Sequence, residues 1–514
     1  MTRGEAGPGQ IREAAVIGLG TMGAGIAEVL ARGGCTVVAI EANHDFLARG
    51  LALLHASLDR AIARGRLTHD GKAEIVARVR VADTIAAGAA GADLAVEAVP
   101  ESMDLKRDIF AQLDQACRPD AILATNTSSL SITAIAAGTQ RPGRVVGLHF
   151  FNPAPAMKLV EVISTVLTAP GTAERLDALI RDLGKTPVNA GDRAGFVVNP
   201  LLVPYLNEAA RLLETGHASR EDIDKAATAG NGLPMGPLAL LDLVGLDVAV
   251  SVLEILQAEF GGSRNQPAPL LRRLVEAGLT GRKGGRGFYE YGPGQAPAAS
   301  PGANPPPLAG PATVTLIENG APALTADLGR ALTKAGVDVV PGPAATADGG
   351  LILIAAEPAR RVLDAALASG RPADAVGLHL TGPPGAAPAL AEVIVTHLTA
   401  PAAAAAATAA AGRLGLAPVT CQDRPGFLAA ALLYPQLNDA ARMAQEGYAT
   451  PADIDTAMML GAGYPRGPLQ MIDLIGAAEV LGVLTAMHAA SGDPALAPAP
   501  LLAEHAAAGT PFRA

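Results

Sequence analysis

Residues 183–216, LGKTPVNAGDRAGFVVNPLLVPYLNEAARLLETG, recur at 414–447 as LGLAPVTCQDRPGFLAAALLYPQLNDAARMAQEG, at a constant offset of 231. The register continues through Asp224 and Asp455, Pro237 and Pro468, and Asp242 and Asp473. Whatever fold this chain adopts must therefore build one unit twice. The repeated stretch has the apolar spacing of a helix, so the duplicated unit is helical. At 514 residues there is room for three or four domains of roughly 150 residues each.

Ahead of the first helical unit, apolar runs alternate with helical stretches. AAVIGLG (14–20) reads as a buried strand that runs into Gly18-Leu19-Gly20-Thr21-Met22-Gly23. A helical stretch follows to Arg32, then CTVVAIEAN, a second strand ending at Glu41. In this strand–glycine–helix–strand context Gly18 permits a tight turn. Gly20 lets the backbone approach a pyrophosphate, and Gly23 lets the helix pack on the strand. The helix N-terminus then faces the phosphates. Glu41 stands where a carboxylate binds ribose hydroxyls and repels a 2′-phosphate, which favours NAD over NADP.

Residues 45–80 are helical in pattern, with breaks at Arg64-Gly65 and near His69-Asp70-Gly71. They form either a hairpin over the substrate or a solvated helix pair packed on the sheet. ADLAVEAV (92–99) is a buried strand, followed by Pro100-Glu101 and a helix from Asp104 to Cys117. AILATNTSS (121–129) is a strand ending in Asn126, Thr127, Ser128 and Ser129. Such strand ends line the ligand crevice of an open α/β sheet; the plain alternative is a helix N-cap. In VVGLHFFNPAPAMKLVEVI (145–163) two β-type runs flank the turn signal Asn152-Pro153 and bring His149 and Glu161 together. An imidazole that takes a proton and an anion that orients it make a general base. A lone histidine in an apolar run is more often a core residue, but the dinucleotide motif and the polar strand end change the odds. A long helix begins near Gly195 and carries Asn199 in its apolar first turns. That amide is either hydrogen-bonded structurally or aimed at a ligand. GRKGGRGFYEY (281–291) closes the helical unit, and its Lys283 either reaches a phosphate or carboxylate or is simply solvated.

Net charge is −10 with no basic run, which argues against nucleic acid. Half the residues are hydrophobic, yet the uncharged stretches near the start carry glycines and fall short of the roughly 18 apolar residues of a membrane span. The first dozen residues have no apolar core and do not read as a signal peptide. Cys35, Cys117 and Cys421 are scattered and make neither a disulfide framework nor a metal site. No metal and a cytoplasmic setting are expected.

The second half reads as a worn copy. Residues 293–311 form a Pro/Ala/Gly linker. After it, 312–400 keeps strand, helix and strand, but Glu318-Asn319-Gly320 stands where Gly18-Leu19-Gly20 stood. A glutamate there would repel a pyrophosphate. The NTSS stretch has no clear counterpart; Ala430 replaces Asn199, and His379 and Glu392 are thirteen residues apart rather than twelve. The expected class is an α/β Rossmann domain plus an all-α helical domain, the pair duplicated with a degenerate second Rossmann-like unit. The expected boundaries are 13–193, 194–292, the linker 293–311, 312–423 and 424–514.

GLGTMGAGIA, NTSSLSI, GLHFFNPAPAMKLVEVI, GFVVN and GRKGGRGFYEY, in this order over residues 13–292, resemble the L-3-hydroxyacyl-CoA dehydrogenases. The resemblance implies NAD-dependent oxidation of an acyl-CoA thioester at its 3-hydroxyl. It implies that His149 and Glu161 are the catalytic pair and that Ser128 and Asn199 contact substrate. Asn152 falls on a further active-site contact, and Glu101, Lys106 and Lys283 match cofactor contacts. Pro200 departs from the arginine that many members carry. GFVVNPLLVPYLNEA looks more like the hydroxybutyryl-CoA members, while two-copy members of this length resemble the 3-hydroxyadipyl-CoA dehydrogenases of aromatic-acid breakdown. In single-copy members the helical domain pairs between subunits, so either a homodimer or a pseudo-dimer within one chain is expected. The rival is a non-catalytic NAD-binding structural protein; intact His149, Glu161, Ser128 and Asn199 argue against it.

Overall fold

The structure, a computed structural model, describes residues 11–41, 43–292, 313–342 and 350–513. The expected linker and the first ten residues lie outside the described residues. The chain forms two compact units. One holds the residues up to Pro200 together with Tyr448–Gly463; the other holds Leu201–Gly447 together with Tyr464–Ala514.

The first unit is built on an eight-stranded sheet: β1 (Glu13–Ile17), β2 (Thr36–Ile40), β3 (Val79–Ala82), β4 (Leu94–Glu97), β5 (Ile122–Thr125), β6 (Val145–Phe150), β7 (Leu159–Ser164) and β8 (Thr186–Gly191). The spatial order is β3-β2-β1-β4-β5-β6-β7-β8. Every pairing is parallel except β6 with β7. The central strands β4 and β5 are buried along their whole length, as expected of parallel strands covered by helices on both faces. The strand order reverses between β1 and β4, and in open α/β sheets that switch point marks the ligand crevice. The β6–β7 connection is a short hairpin, and it is this antiparallel step that sets His149 opposite Glu161.

The excursion after β2 is a helix pair, His44–Ala63 and His69–Ala77. The second break expected near His69-Asp70-Gly71 is instead a helix start: Thr68 Oγ1 accepts from Gly71 N at 3.1 Å, so these residues form a capped first turn.

At the end of β4, Glu97 is fully buried, and so is Lys106 on the next helix. Lys106 Nζ donates to both Glu97 oxygens at 2.7 and 2.8 Å. Thr125 Oγ1 and Val99 N donate to the same carboxylate at 2.7 Å each. This network pins the ends of β4 and β5 beneath the crevice. Neither residue stands out in the sequence as half of a pair.

The second unit contains β9 (Thr313–Glu318), β10 (Asp338–Pro341), β11 (Ile352–Ala355), β12 (Ala375–Thr381), β13 (Leu390–Val395) and β14 (Ala417–Gln422) in the order β10-β9-β11-β12-β13-β14. Again only one pairing, β12 with β13, is antiparallel. β11 pairs with both β9 and β12, so it takes the place of β5, and among the described residues no strand takes the place of β4. Ala356-Glu357-Pro358 therefore follows β11 as Asn126-Thr127-Ser128 follows β5. This is a counterpart the sequence alone hides, because among the described residues one strand fewer lies between the two landmarks.

Both helical repeats contribute to this unit, and they pair directly. Gln436 Nε2 donates to Leu201 O at 3.0 Å, Arg264 Nε to Asp439 Oδ2 at 3.1 Å, and Ser263 Oγ to Asp493 Oδ2 at 2.5 Å. Each repeat carries the same internal anchor. Asn207 accepts from Ala268 N and donates to Arg264 O and Gln266 O; Asn438 accepts from Ala499 N and donates to Ala497 O. No single helix among the described residues is long and apolar enough to cross a membrane.

Lys106→Ala leaves the Glu97 carboxylate buried without its cation, and should lower unfolding free energy by about 3–5 kcal/mol in urea denaturation. The double substitution Glu97→Gln with Lys106→Met should recover most of that loss, since it removes both charges and keeps the packing.

Candidate functional site

The crevice at the switch point is a cleft of about 1010 Å³. Gly18 to Met22, Glu41, Phe46, Leu53 and Val99 are among the residues lining it. Gly18 has φ +86, open to glycine and costly for other residues, and a Cβ on Gly23 would lie 1.8 Å from Gly18 O. A Cβ on Gly20 would meet nothing within 4 Å and would project into open space. The helix Thr21–Arg32 starts there without a side-chain cap, leaving its first N–H groups for a ligand. Glu41 is held at the rim: Oε2 accepts from Leu19 N at 3.2 Å and Oε1 from Asn43 N at 3.3 Å. The open approach at Gly20, the uncapped helix and the fixed carboxylate all suit a dinucleotide with free ribose hydroxyls. Phe46 and Leu53 on the helix His44–Ala63 give the cleft an exposed apolar wall.

The lining reaches Pro100, and the next residue is bonded to the stretch that follows β5. Glu101 Oε1 accepts from Thr127 Oγ1 at 2.5 Å, Ser128 N at 3.0 Å and Ser129 Oγ at 3.1 Å. Burial pushes the Glu101 carboxyl up, but the Thr127 hydrogen bond and the Lys106 ammonium outweigh it and hold it below the ordinary range. Lys106 itself has no exposed surface and is bound to Glu97. Its Nζ also lies 3.5 Å from Glu101 Oε2, which links it to the site.

His149 and Glu161 are paired across the hairpin, with Nδ1 2.6 Å from Glu161 Oε2. His149 is 6% exposed and Glu161 fully buried. The other carboxylate oxygen, Oε1, accepts from Val197 N at 3.0 Å and Val198 N at 3.1 Å. Those two N–H groups are aimed by left-handed backbone at Gly195 (φ 73) and Phe196 (φ 57). The long helix consequently starts at Val198, three residues later than its sequence suggests. The Phe151 and Phe196 rings flank the imidazole at 4.6 and 5.4 Å between centroids. Because the carboxylate accepts the Nδ1 proton, Nε2 is left as the acceptor, and Ser128 Oγ lies 3.3 Å from it. Asn126 serves the strand rather than the cleft: Oδ1 accepts from Phe150 N at 2.9 Å.

Asn199 is half-buried in the first turn of the helix, and its amide has no hydrogen-bond partner among the described residues. Asn152 is exposed at the hairpin turn. Lys283 belongs to the other compact unit, where it is half-exposed and ion-paired with Asp247 at 2.6 Å. One residue that sequence reasoning misses is Lys185. Its Nζ donates to Ala154 O at 2.7 Å and Met157 O at 2.6 Å, tying down the loop between β6 and β7. Burial and the nearby Arg32 charge bring its pKa down to about 8. Among the described residues, no cluster of three or more His, Cys, Asp or Glu is arranged to hold a metal.

In the second unit the backbone clamp is repeated, with Leu428 N and Ala429 N donating to Glu392 Oε1 at 2.9 and 2.8 Å. The histidine stands in the same register opposite the glutamate, but its ring is turned. His379 Nδ1 faces Ala356 O at 3.0 Å, and its Nε2 is 4.0 Å from Glu392. Burial pushes Glu392 up to about 7 and His379 down to about 4. Pro358 and Ala430 stand where Ser128 and Asn199 stand in the first unit, and the Arg360 guanidinium crowds Gly320.

The raised Glu392 pKa sets a sign for stability. The unfolded chain ionises this group near its ordinary 4.5 while the folded chain keeps its proton until about 7. Stability from this group is therefore complete below 4.5 and falls as pH rises to about 7. Glu392→Gln, which mimics the protonated acid, should match the parent near the acid end of that window. It should be more stable above it, with a gap in urea midpoint that grows through the window and then stays level.

The profile described as 3-hydroxyacyl-CoA dehydrogenase, NAD binding domain, matches residues 13–193, and the corresponding C-terminal domain profile matches 195–291 and again 426–514. The 3-hydroxyadipyl-CoA dehydrogenase of Escherichia coli strain K12 is 36% identical over 501 residues, 96% of this chain and 98% of that protein. The 3-hydroxybutyryl-CoA dehydrogenase of Clostridioides difficile is 45% identical over 277 residues, 54% of this chain and 98% of that protein. A crystal structure of 3-hydroxybutyryl-CoA dehydrogenase from Escherichia coli K12 matches with TM-score 0.80 and 33% identity, covering 97% of this chain and 99% of that one. With its glycine cradle and both domain types matched, the chain belongs to the 3-hydroxyacyl-CoA dehydrogenase family and is an NAD-binding oxidoreductase.

Proposed function

We propose that this chain oxidises L-3-hydroxyacyl-CoA to 3-oxoacyl-CoA, with the short-chain 3-hydroxybutyryl-CoA as its substrate. The observation that carries this reading is the imidazole fixed by Glu161 at 2.6 Å with its free nitrogen turned to Ser128. NAD, when bound, supplies the hydride acceptor. His149 Nε2 accepts the proton of the 3-hydroxyl as carbon 3 gives up its hydride. Glu161, held by the N–H groups of Val197 and Val198, stabilises the imidazolium that forms. Ser128 hydrogen-bonds the substrate hydroxyl, and the unpartnered amide of Asn199 donates to the thioester carbonyl. Glu41 takes the ribose hydroxyls, Gly18 to Gly23 take the pyrophosphate, and Glu101 lies on the cofactor side of Ser128. The described free cysteines are all buried, which agrees with a cytoplasmic setting.

A second substrate reading rests on a specific observation. One relative that spans 96% of this chain, duplication included, is named for 3-hydroxyadipyl-CoA. That substrate ends in a carboxylate and needs a cationic partner. Comparing kcat/KM for C4, C6, C8 and 3-hydroxyadipyl thioesters decides between the two; a preference for the adipyl thioester overturns the hydroxybutyryl reading.

His149→Ala should lose at least about 100-fold in kcat, the reach of a positioned base, while NAD affinity changes little. Steady-state turnover of acetoacetyl-CoA with NADH measures the first and cofactor titration the second. Near-normal turnover in the variant would end the assignment. The parent binding NADH without oxidising it would favour a non-catalytic role instead. The same titration should saturate at one NAD per chain.

A further inference from the structure

The second half lacks the glycines, the serine and the asparagine of the first, yet one of its helices belongs to the first compact unit. The helix Pro451–Gly461, with the preceding Tyr448, packs on β7 and β8. Tyr448 OH donates to Gly191 O at 2.7 Å, and the Arg193 guanidinium stacks on its ring at 4.6 Å. At its C-terminal end the helix comes very close. A Cβ on Gly461 would lie 2.8 Å from both Leu159 Cδ2 and Val198 Cγ2, and 3.5 Å from Phe151 Cε1.

Each of those three residues is directly linked to the His149–Glu161 pair. The Phe151 ring packs on the His149 imidazole. Val198 N is one of the two donors to Glu161. Leu159 lies on β7, the strand that carries Glu161. The matching helix of the first repeat makes the matching contacts in the second unit. There a Cβ on Gly230 would lie 2.9 Å from Leu390 Cδ2, 3.2 Å from Ala429 Cβ and 3.8 Å from Thr381 Cγ2. His217, the counterpart of Tyr448, donates through Nε2 to Phe427 O at 2.5 Å. The two repeats thus exchange helices, and only one exchange lands on a complete site.

We propose that Gly461, in the catalytically silent half, is a positioning residue for the first site: its missing side chain lets the helix seat Phe151, Leu159 and Val198, and through them His149 and Glu161. The second half then does more than pair helices; it sets the geometry of the base. This rests on the dehydrogenase reading above, because the base must act for its position to be read.

The test uses the full-length chain. Gly461→Leu should lower kcat for acetoacetyl-CoA reduction by about 10- to 100-fold, the cost of a displacement of roughly an ångström in a catalytic group. NAD affinity should stay within about twofold, because the glycine cradle is untouched, and the midpoint of the kcat–pH profile should move. Gly230→Leu places the same bulk against the second sheet and should leave kcat and the profile as in the parent. Should Gly461→Leu fail to fold, Gly461→Ala decides on the same readouts with a smaller effect. An unchanged kcat and pH profile at position 461, an equal loss from Gly230→Leu, or a parallel loss of NAD binding each overturns the proposal. An inactive parent enzyme would instead overturn the dehydrogenase reading itself.

Discussion

The buried carboxylate of Glu161 is the constraint on which the first unit turns. An ion with no exposed surface costs several kcal/mol unless hydrogen bonds replace its water. Here one oxygen takes two backbone N–H groups and the other takes the imidazole. The backbone donors exist only because Gly195 and Phe196 adopt positive φ just before the helix that starts at Val198. At a bulky residue such as Phe196 that conformation costs on the order of 1–3 kcal/mol. It persists because a helix start has N–H groups without intrahelical partners, and the carboxylate satisfies two of them. Strand pairing, helix start and the orientation of His149 therefore meet at one side chain.

The second copy separates what the clamp does for the fold from what it does for chemistry. Gly426 and Phe427 repeat the positive φ values, and Glu392 takes the same pair of N–H groups. The clamp is thus part of the architecture, and both copies keep it. The difference lies in the ring. In the first unit Asn126 follows β5 and its side chain accepts from Phe150 N. In the second, Ala356 has no such acceptor, and its carbonyl takes His379 Nδ1 instead. With the imidazole turned away, burial dominates on both sides: Glu392 is pushed up to about 7 and His379 down to about 4. Near neutrality His379 is uncharged and Glu392 keeps a large share of its protons, so the pair does not combine an ionised carboxylate with an imidazole that it orients.

The features legible in the sequence were those encoded by local spacing. The glycines, the alternation of strands and helices, and the duplication can each be read within a window of residues. His149 and Glu161 could be paired from sequence because a hairpin fixes register and the turn signal lies between them. What could not be read depends on partners chosen by tertiary packing. Glu97 looks like the last residue of a strand and Lys106 like an ordinary helix lysine, and only the fold closes them into one buried pair. Lys185 reaches a loop nearly thirty residues back. Ala356-Glu357-Pro358 cannot be matched to Asn126-Thr127-Ser128 along the chain because, among the described residues, one strand fewer precedes it. The exchange of helices was invisible for the same reason: apolar periodicity shows that a face will be buried, but not against which sheet.

Several groups that hold backbone in place have the same residue type in both halves. Asn438, Phe427, Gly426 and Glu392 all hold backbone in place, and all match their first-half counterparts in type. Glu318, Pro358 and Ala430 differ from Gly18, Ser128 and Asn199 at the matching positions. Loss of the packing groups would loosen the second sheet and the helical repeats paired within that unit. In the first unit the helix Pro451–Gly461 covers β7 and β8. Leu159 and Val198 are 0% and 1% exposed with that helix in place. A chain without it would expose apolar surface beside His149 and Glu161, at about 25 cal/mol for each Å² uncovered.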